Sequence, residues 1–204
     1  MDYYYSYEKF GKNAERAEKP TKKETLFDWV DILVTSVIAV VIIFTFLFRV
    51  VTIEGDSMLD TLQNGEKVII SNIAYTPKQG DIVVISRNTN NSLDSETYAE
   101  PIIKRVIAVA GQTVDIDYEQ GIVYVDGVAL EEDYTRTLTT IKHDNEIDFP
   151  AYVPENCIFV MGDNRNYSLD SRSEFIGDNG MIDIRYVLGK AVYRVFPLDK
   201  LGGL

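Results

Sequence analysis

The 204-residue chain has one cysteine and one histidine, and its 20 basic residues are outnumbered by 32 acidic ones. A single cysteine excludes an internal disulfide and a Cys-rich metal site. Cys157 stands in the apolar run Cys157-Ile158-Phe159-Val160-Met161, the setting of a buried strand residue rather than a reactive thiol. With only His143 present, any Ser-His-Asp triad would have to use it. Its surroundings, Lys142-His143-Asp144-Asn145-Glu146, are polar and carry no strand pattern, which reads as surface. A net charge of −12 argues against nucleic acid as a partner, because neutralising phosphates needs clustered Lys and Arg. No metal and no cofactor is expected.

What is present is enough apolar sequence, 46% of the chain, to bury the core of one ordinary domain with an appendage. Residues 1–28 are polar, dense in charge of both signs and Tyr-rich at the start, which marks a solvated tail. Residues 29–48 then form an apolar run whose only charge is Asp31. At about 1.5 Å per residue, a helix of that length covers about 30 Å, the thickness of a bilayer core. It is too long for a signal-peptide core and is not followed by a small-x-small site, so it reads as an uncleaved single transmembrane helix in the lipid bilayer. Lys9, Lys12, Arg16, Lys19, Lys22 and Lys23 all precede it, and only Arg49 and Lys67 follow within about twenty residues. That asymmetry places the N-terminus in the cytoplasm and residues 49–204 outside the cell membrane. Those residues hold most of the excess negative charge.

Past the apolar run, short β-branched stretches alternate with Gly, Pro, Asn and Asp, the pattern of a mostly β, compact domain. Strands are expected at 49–53, 67–71, 81–87, 102–109, 113–117, 122–125, 158–161, 182–187 and 190–196. Asp126-Gly127 predicts a type I′ hairpin turn, and 88–100 reads as a polar surface loop. Residues 113–154 form a small β excursion from the main sheet.

Three stretches can carry chemistry. In Ile53-Glu54-Gly55-Asp56-Ser57-Met58-Leu59-Asp60-Thr61-Leu62, Gly55 lets the backbone turn tightly just before Ser57. Gly-x-Ser alone is common in turns, so Ser57 is either a loop serine or a nucleophile, depending on partners elsewhere. In Pro101-Ile102-Ile103-Lys104-Arg105-Val106-Ile107-Ala108-Val109, a lysine interrupts an apolar strand. It either points outward or is buried and kept neutral, because burying an unpaired charge costs several kcal/mol. Strand alternation puts Ile102, Lys104, Val106 and Ala108 on one face. Lowering a lysine pKa from ~10.4 to ~8 raises the neutral fraction near pH 7 from about 0.04% to roughly 10%, which is what activating a serine without histidine requires. The third stretch, Gly162-Asp163-Asn164-Arg165-Asn166-Tyr167-Ser168-Leu169-Asp170-Ser171-Arg172, is a turn-rich loop whose hydroxyls and fixed charges can orient an amine. Asp170 can pair with Arg172.

Taken together, these stretches resemble the bacterial type I signal peptidases, in the short single-span form typical of Gram-positive bacteria. The resemblance runs from Trp29 to about Leu204. It includes Gly80-Asp81-Ile82-Val83-Val84, Ile103-Lys104-Arg105-Val106-Ile107 and Gly189-Lys190-Ala191 besides the stretches above. It implies a signal-peptidase-like all-β catalytic domain and a serine endopeptidase that cuts the signal peptides of preproteins after Ala-x-Ala. Under it, Ser57 is the nucleophile and Lys104 the base; Ser168 hydrogen-bonds the amine, and Asp170 with Arg172 supports the loop. The Ser57 amide binds the oxyanion, where Gly55 replaces a hydroxyl residue of some relatives. Met58, Ile103 and Ile53 line the substrate pockets. Asp60 and Ala110 stand where the family commonly has proline, and a locally different turn is expected at Asp60. Two other classes share features with the chain, a non-catalytic anchored β domain that binds peptides and a self-cleaving repressor-type Ser-Lys protease. The repressor type fits neither the apolar run nor the missing DNA-binding segment.

Overall fold

The computed structural model describes residues 22–86 and 101–204. The first part of the tail and the expected loop at 88–100 lie outside the described residues. The chain divides into two units, residues 1–44 and 45–204. Helix α1 spans Lys22–Leu47. Its side chains are described from residue 27 to residue 42, and every one of them is exposed. Among the described residues no helix is long and apolar enough to cross a membrane.

The second unit is built on two sheets. The larger one takes β1 (Phe48–Thr52), β2 (Lys67–Ser71), β11 (Val187–Phe196), β3 (Ile82–Ile85), β4 (Ile102–Val109), β9 (Cys157–Met161) and β10 (Ile182–Asp183) in that spatial order, with β12 (Gly202–Gly203) against β11. The smaller sheet orders β7 (Val128–Ala129), β6 (Ile122–Val125), β5 (Thr113–Asp117) and β8 (Ala151–Tyr152). Its strands fall between residues 113 and 152. The hairpin turn has its predicted form, with φ of 52° at Asp126 and 79° at Gly127.

β4 holds the domain together because its residues 103–108 are all buried. Ile103 packs with Ile53, Met58, Leu62 and Val84 in one cluster, while Val106 packs with Val83, Ile158 and Val160 in another. Ile107 and Ala108 join Val114, Val123 and Val125, which seals the small sheet onto the large one. This corrects the expectation that Ala108 shares the face of Ile102 and Val106. A register shift against β9 between Val106 and Ala108 breaks the alternation there.

Two further expectations are corrected. The strand read at 182–187 is interrupted by a 3₁₀ turn at Ile184–Tyr186, because the Asp183 side chain accepts from the Arg185 amide at 2.8 Å and closes a local turn in place of the ladder. Val187 then begins the long β11. Cys157 is only partly buried, since it is the first residue of β9 and pairs with Asp183 at the sheet's edge. Burial there still pushes its thiol pKa up.

Candidate active site

The loop between β1 and β2 is closed at its base by backbone bonds from Ile53 N to Glu66 O at 2.8 Å and from Gly65 N to Ile53 O at 2.9 Å. Within it Gly55 adopts φ of 80°, a conformation that disfavours any side chain, and its amide donates to Asn64 Oδ1 at 3.1 Å. The chain then tightens into a turn, with Leu62 N donating to Met58 O at 2.8 Å. The Leu59–Asp60 peptide is cis. Met58 and Leu62 are buried and fasten the turn to the core, leaving Ser57 half-buried.

β4 brings Lys104 to this turn. Lys104 pairs across the sheet with Val83 and is 3% exposed. Its Nζ donates to Ser57 Oγ at 2.7 Å and to the Ile103 carbonyl at 3.0 Å. Of the two readings of this lysine, the outward one is therefore set aside. A hydroxyl in hydrogen-bond reach of a buried amine is an arrangement that supports nucleophilic acyl transfer, provided the amine can accept the hydroxyl proton.

The loop after β9 grips the same turn. Gly162 lies so close to it that a β-carbon there would stand 2.5 Å from Ser57 O and 2.3 Å from Ser168 Oγ. Asn164 donates from its amide to Ser57 O at 3.0 Å and from Nδ2 to Asp56 O at 3.0 Å. Asp163 accepts from Thr61 Oγ1 at 2.5 Å and takes a two-pronged bond from Arg105, at 2.8 Å from Nε and 2.7 Å from Nη2. Gly162, Asp163, Asn164 and Arg105 belong to motifs that carry the family resemblance. Their grip on the Ser57 turn could not be read from spacing, because the partners lie as many as 108 residues apart.

Asp170 and Arg172 form the expected pair, wholly buried, with Nε to Oδ1 at 2.8 Å and Nη2 to Oδ2 at 3.0 Å. Asp170 also accepts from the Gly162 amide at 3.0 Å, so the pair supports the loop that touches Ser57. Burial alone would raise the Asp170 carboxyl. The adjacent Arg172 charge and these hydrogen bonds outweigh it and hold the carboxyl below the usual range. Ser168 departs from expectation. Its Oγ is buried and makes no bond to Lys104 among the described residues, while it sits close enough to Asp170 to help hold that carboxyl low. The hydroxyl lies over Gly162 instead.

Ile53, Met58 and Ile103, expected to line pockets, converge in one apolar cluster beside the turn. The Asp60 carboxylate, where the family commonly has proline, pairs with Arg136 at 3.1 Å on the surface. His143 is exposed, at the rim of a cavity of about 330 Å³ lined also by Ser168 and Arg172. Ala110 follows β4 directly and is half-buried. Among the described residues no group of His, Cys, Asp and Glu could hold a metal ion.

A β domain that places a serine hydroxyl on a buried lysine amine has the makings of a hydrolase that works without histidine. Residues 26–196 match the family model described as signal peptidase, peptidase S26, and the chain belongs to that family of peptidases. Among its relatives, signal peptidase I P of Bacillus subtilis subsp. natto is 32% identical over 188 residues, covering 88% of this chain and 94% of that protein. Signal peptidase I of Bacillus licheniformis is 34% identical over 196 residues, covering 90% and 96%. The crystal structure of a signal peptidase I from Enterococcus faecalis V583 matches with a TM-score of 0.41 at 26% identity, covering 57% of this chain and 97% of that one.

Proposed function

We propose that this chain is a membrane-anchored serine endopeptidase that removes signal peptides from exported preproteins after Ala-x-Ala sequences. The observation that carries the proposal is the 2.7 Å hydrogen bond between Lys104 Nζ and Ser57 Oγ, with the lysine buried. Burial disfavours the charged amine and so favours the neutral base. Lys104 Nζ takes the hydroxyl proton as Ser57 Oγ bonds to the scissile carbonyl carbon. The carbonyl π electrons move to oxygen, and the Ser57 amide donates to that oxyanion. Collapse breaks the C–N bond, and the proton on Lys104 passes to the leaving amine. Water, deprotonated by the same lysine, then hydrolyses the ester and frees Ser57.

Asp170 and Arg172 support the loop that carries Gly162 and Ser168 against the Ser57 turn. In this reading Ser168 turns its hydroxyl from Asp170 toward Nζ to meet the amine when substrate binds. Gly55, with open space where its β-carbon would be, leaves the approach to Ser57 unobstructed. Ile53, Met58 and Ile103 form the apolar floor against which small side chains before the cut would rest. The anchor is the apolar run at 29–48, most of it in α1. Its exposed Trp29, Ile32, Leu33, Ile38 and Ile42 would otherwise face water. The N-terminus is assigned to the cytoplasm and the β domain to the outer side of the membrane.

The test is cleavage of a fluorogenic Ala-x-Ala peptide by the full chain in detergent. Ser57→Ala and Lys104→Ala are expected to lose turnover while keeping the wild-type melting temperature. Turnover retained by a clean Ser57→Ala protein overturns the proposal, and peptide binding without cleavage by the wild type would favour a non-catalytic binding domain.

A further inference from the structure

The segment 132–141, between β7 and β8 of the small sheet, runs across the Asp163 loop as a strap. Glu132 takes a two-pronged bond from Arg165, a guanidinium that is 0% exposed. Arg136 N donates to Asp163 O at 3.2 Å, Arg165 Nη1 donates to Thr139 Oγ1 at 3.2 Å, and the Ile141 amide reaches Asn166 Oδ1 at 3.2 Å. Four contacts thus spread along one segment engage one loop. Near the start of the strap stands Tyr134. The Arg105 guanidinium carbon lies 3.9 Å from its ring centroid, and that of Arg165 lies 5.9 Å away.

Arg105 follows Lys104 directly in β4, and it is the fork through which Asp163 is fastened. Asp163 in turn holds Thr61, four residues beyond Ser57. A guanidinium donates only in its own plane, so its usefulness to Asp163 depends on the plane being held. Each of its three nitrogens donates, Nε and Nη2 to Asp163, Nη1 to the Gly80 carbonyl at 2.9 Å, and Nη2 also to Thr61 Oγ1 at 3.4 Å. The Tyr134 ring covers a face, where an aromatic quadrupole attracts the cation and excludes water. Burial and the neighbouring Glu132 carboxylate push the Tyr134 phenol up to about 12, so the ring stays neutral through the working pH range.

We propose that Tyr134 is a positioning residue: stacked on Arg105, it fixes the Arg105–Asp163–Thr61 chain and so sets the approach of Ser57 Oγ to Lys104 Nζ. Through it, the small sheet acts on a reaction carried out on the large one. The inference rests on the Ser57–Lys104 reading given above.

The experiment compares Tyr134→Phe, Tyr134→Leu and Arg105→Lys, singly and combined, as full chains in detergent. Activity is read with the Ala-x-Ala peptide and melting temperature is measured in parallel. Tyr134→Leu is expected to lower kcat about tenfold with KM changed less than about twofold, whereas Tyr134→Phe, which keeps the ring, stays within about twofold of wild type. Tyr134→Leu added to Arg105→Lys is expected to cause no further loss, because the ring acts through that fork. Tyr134→Met, unbranched and closer to tyrosine in length, replaces Tyr134→Leu with the same expectation should the leucine variant fail to fold. Wild-type kcat in the leucine or methionine variant overturns the inference. So does an equal loss in Tyr134→Phe, which would move the effect to the hydroxyl, or full additivity with Arg105→Lys. Ser57→Ala run alongside separates the two proposals: if it is dead while Tyr134→Leu is normal, only the inference falls, and if it turns over, the Ser57–Lys104 reading falls first.

Discussion

Replacing Gly162 with alanine adds one methyl group at the tightest contact in the site. That carbon would stand 2.5 Å from Ser57 O and 2.3 Å from Ser168 Oγ, where ordinary contact begins at 3.4 Å. Gly162 cannot step back freely, because its amide is bonded to buried Asp170 at 3.0 Å and its carbonyl accepts from buried Arg165 at 3.1 Å. The Ser168 side chain can rotate away, but Ser57 O is backbone and must move by about 0.9 Å to restore contact distance. A displacement of that size takes the 2.7 Å Ser57–Lys104 bond beyond hydrogen-bond length and strains the 3.0 Å bond from Asn164 N. Misplacing a nucleophile by about 1 Å costs on the order of 10²-fold in rate. Overpacking a rigid interior costs about 1–3 kcal/mol. The expected outcome for Gly162→Ala is therefore kcat reduced about 10²-fold with a modest fall in melting temperature, measured on the full chain in detergent. Gly202→Ala is the control, since a β-carbon there meets nothing within 4 Å and both values should be unchanged. Wild-type kcat and melting temperature in Gly162→Ala would refute the close-approach argument.

Lys104→Arg keeps a positive charge but not a base, because guanidinium does not deprotonate in proteins. Turnover should fall about 10³-fold or more at every pH from 6 to 10, and activity rising with pH in that variant would count against a neutral-amine mechanism. Asp170 has its carboxyl pKa held below its unfolded value of ~3.9, so its stabilisation is complete above that value and lost as pH falls through the lower, folded one. Asp170→Asn should unfold at lower urea at pH 7, by about 3–5 kcal/mol, since Arg172 is left buried and uncompensated. It should also lose less further stability between pH 5 and pH 2 than wild type; an unchanged pH slope would contradict the assignment. Glu66, 3% exposed, takes Arg194 and Lys200 at 3.3 and 3.2 Å and ties the end of the chain to the base of the Ser57 loop. Glu66→Ala should cost about 3 kcal/mol in a urea titration, and a cost under about 0.5 kcal/mol would mean that the clamp contributes little.

Local patterning explains why so much of the β domain could be read from the chain. β2, β4, β5 and β6 have the bounds that their β-branched runs predict, and the Asp126-Gly127 turn closes the hairpin its positive φ angles call for. The misreadings fall where a local interaction competes with the strand pattern. Asp183 captures an amide and breaks one strand in two, while a bulge turns Ala108 away from its expected face. Lys104 was identifiable as a candidate because an amine is chemically out of place in an apolar strand, whereas Ser57, Asp170 and Arg172, ordinary in turns, became candidates through the motifs that carry the family resemblance. Tyr134 was not, because a tyrosine in a polar loop has no such signature.

From the sequence alone come the apolar run at 29–48, the β domain beyond it, the absence of a usable histidine, and the candidacy of one serine and one lysine. These are properties of composition and short-range periodicity, which the chain carries whatever its neighbours. Only the tertiary structure decides that Lys104 turns inward to Ser57 across 47 residues, that Asp163 reaches Thr61 across 102, and that Ser168 Oγ lies over Gly162. It also decides that a strap from the small sheet lays an aromatic ring on Arg105. Such contacts are set by sheet register and by the packing of one loop on another. Both arise only when distant segments bury their apolar faces together, and no spacing along the chain encodes the distances that result.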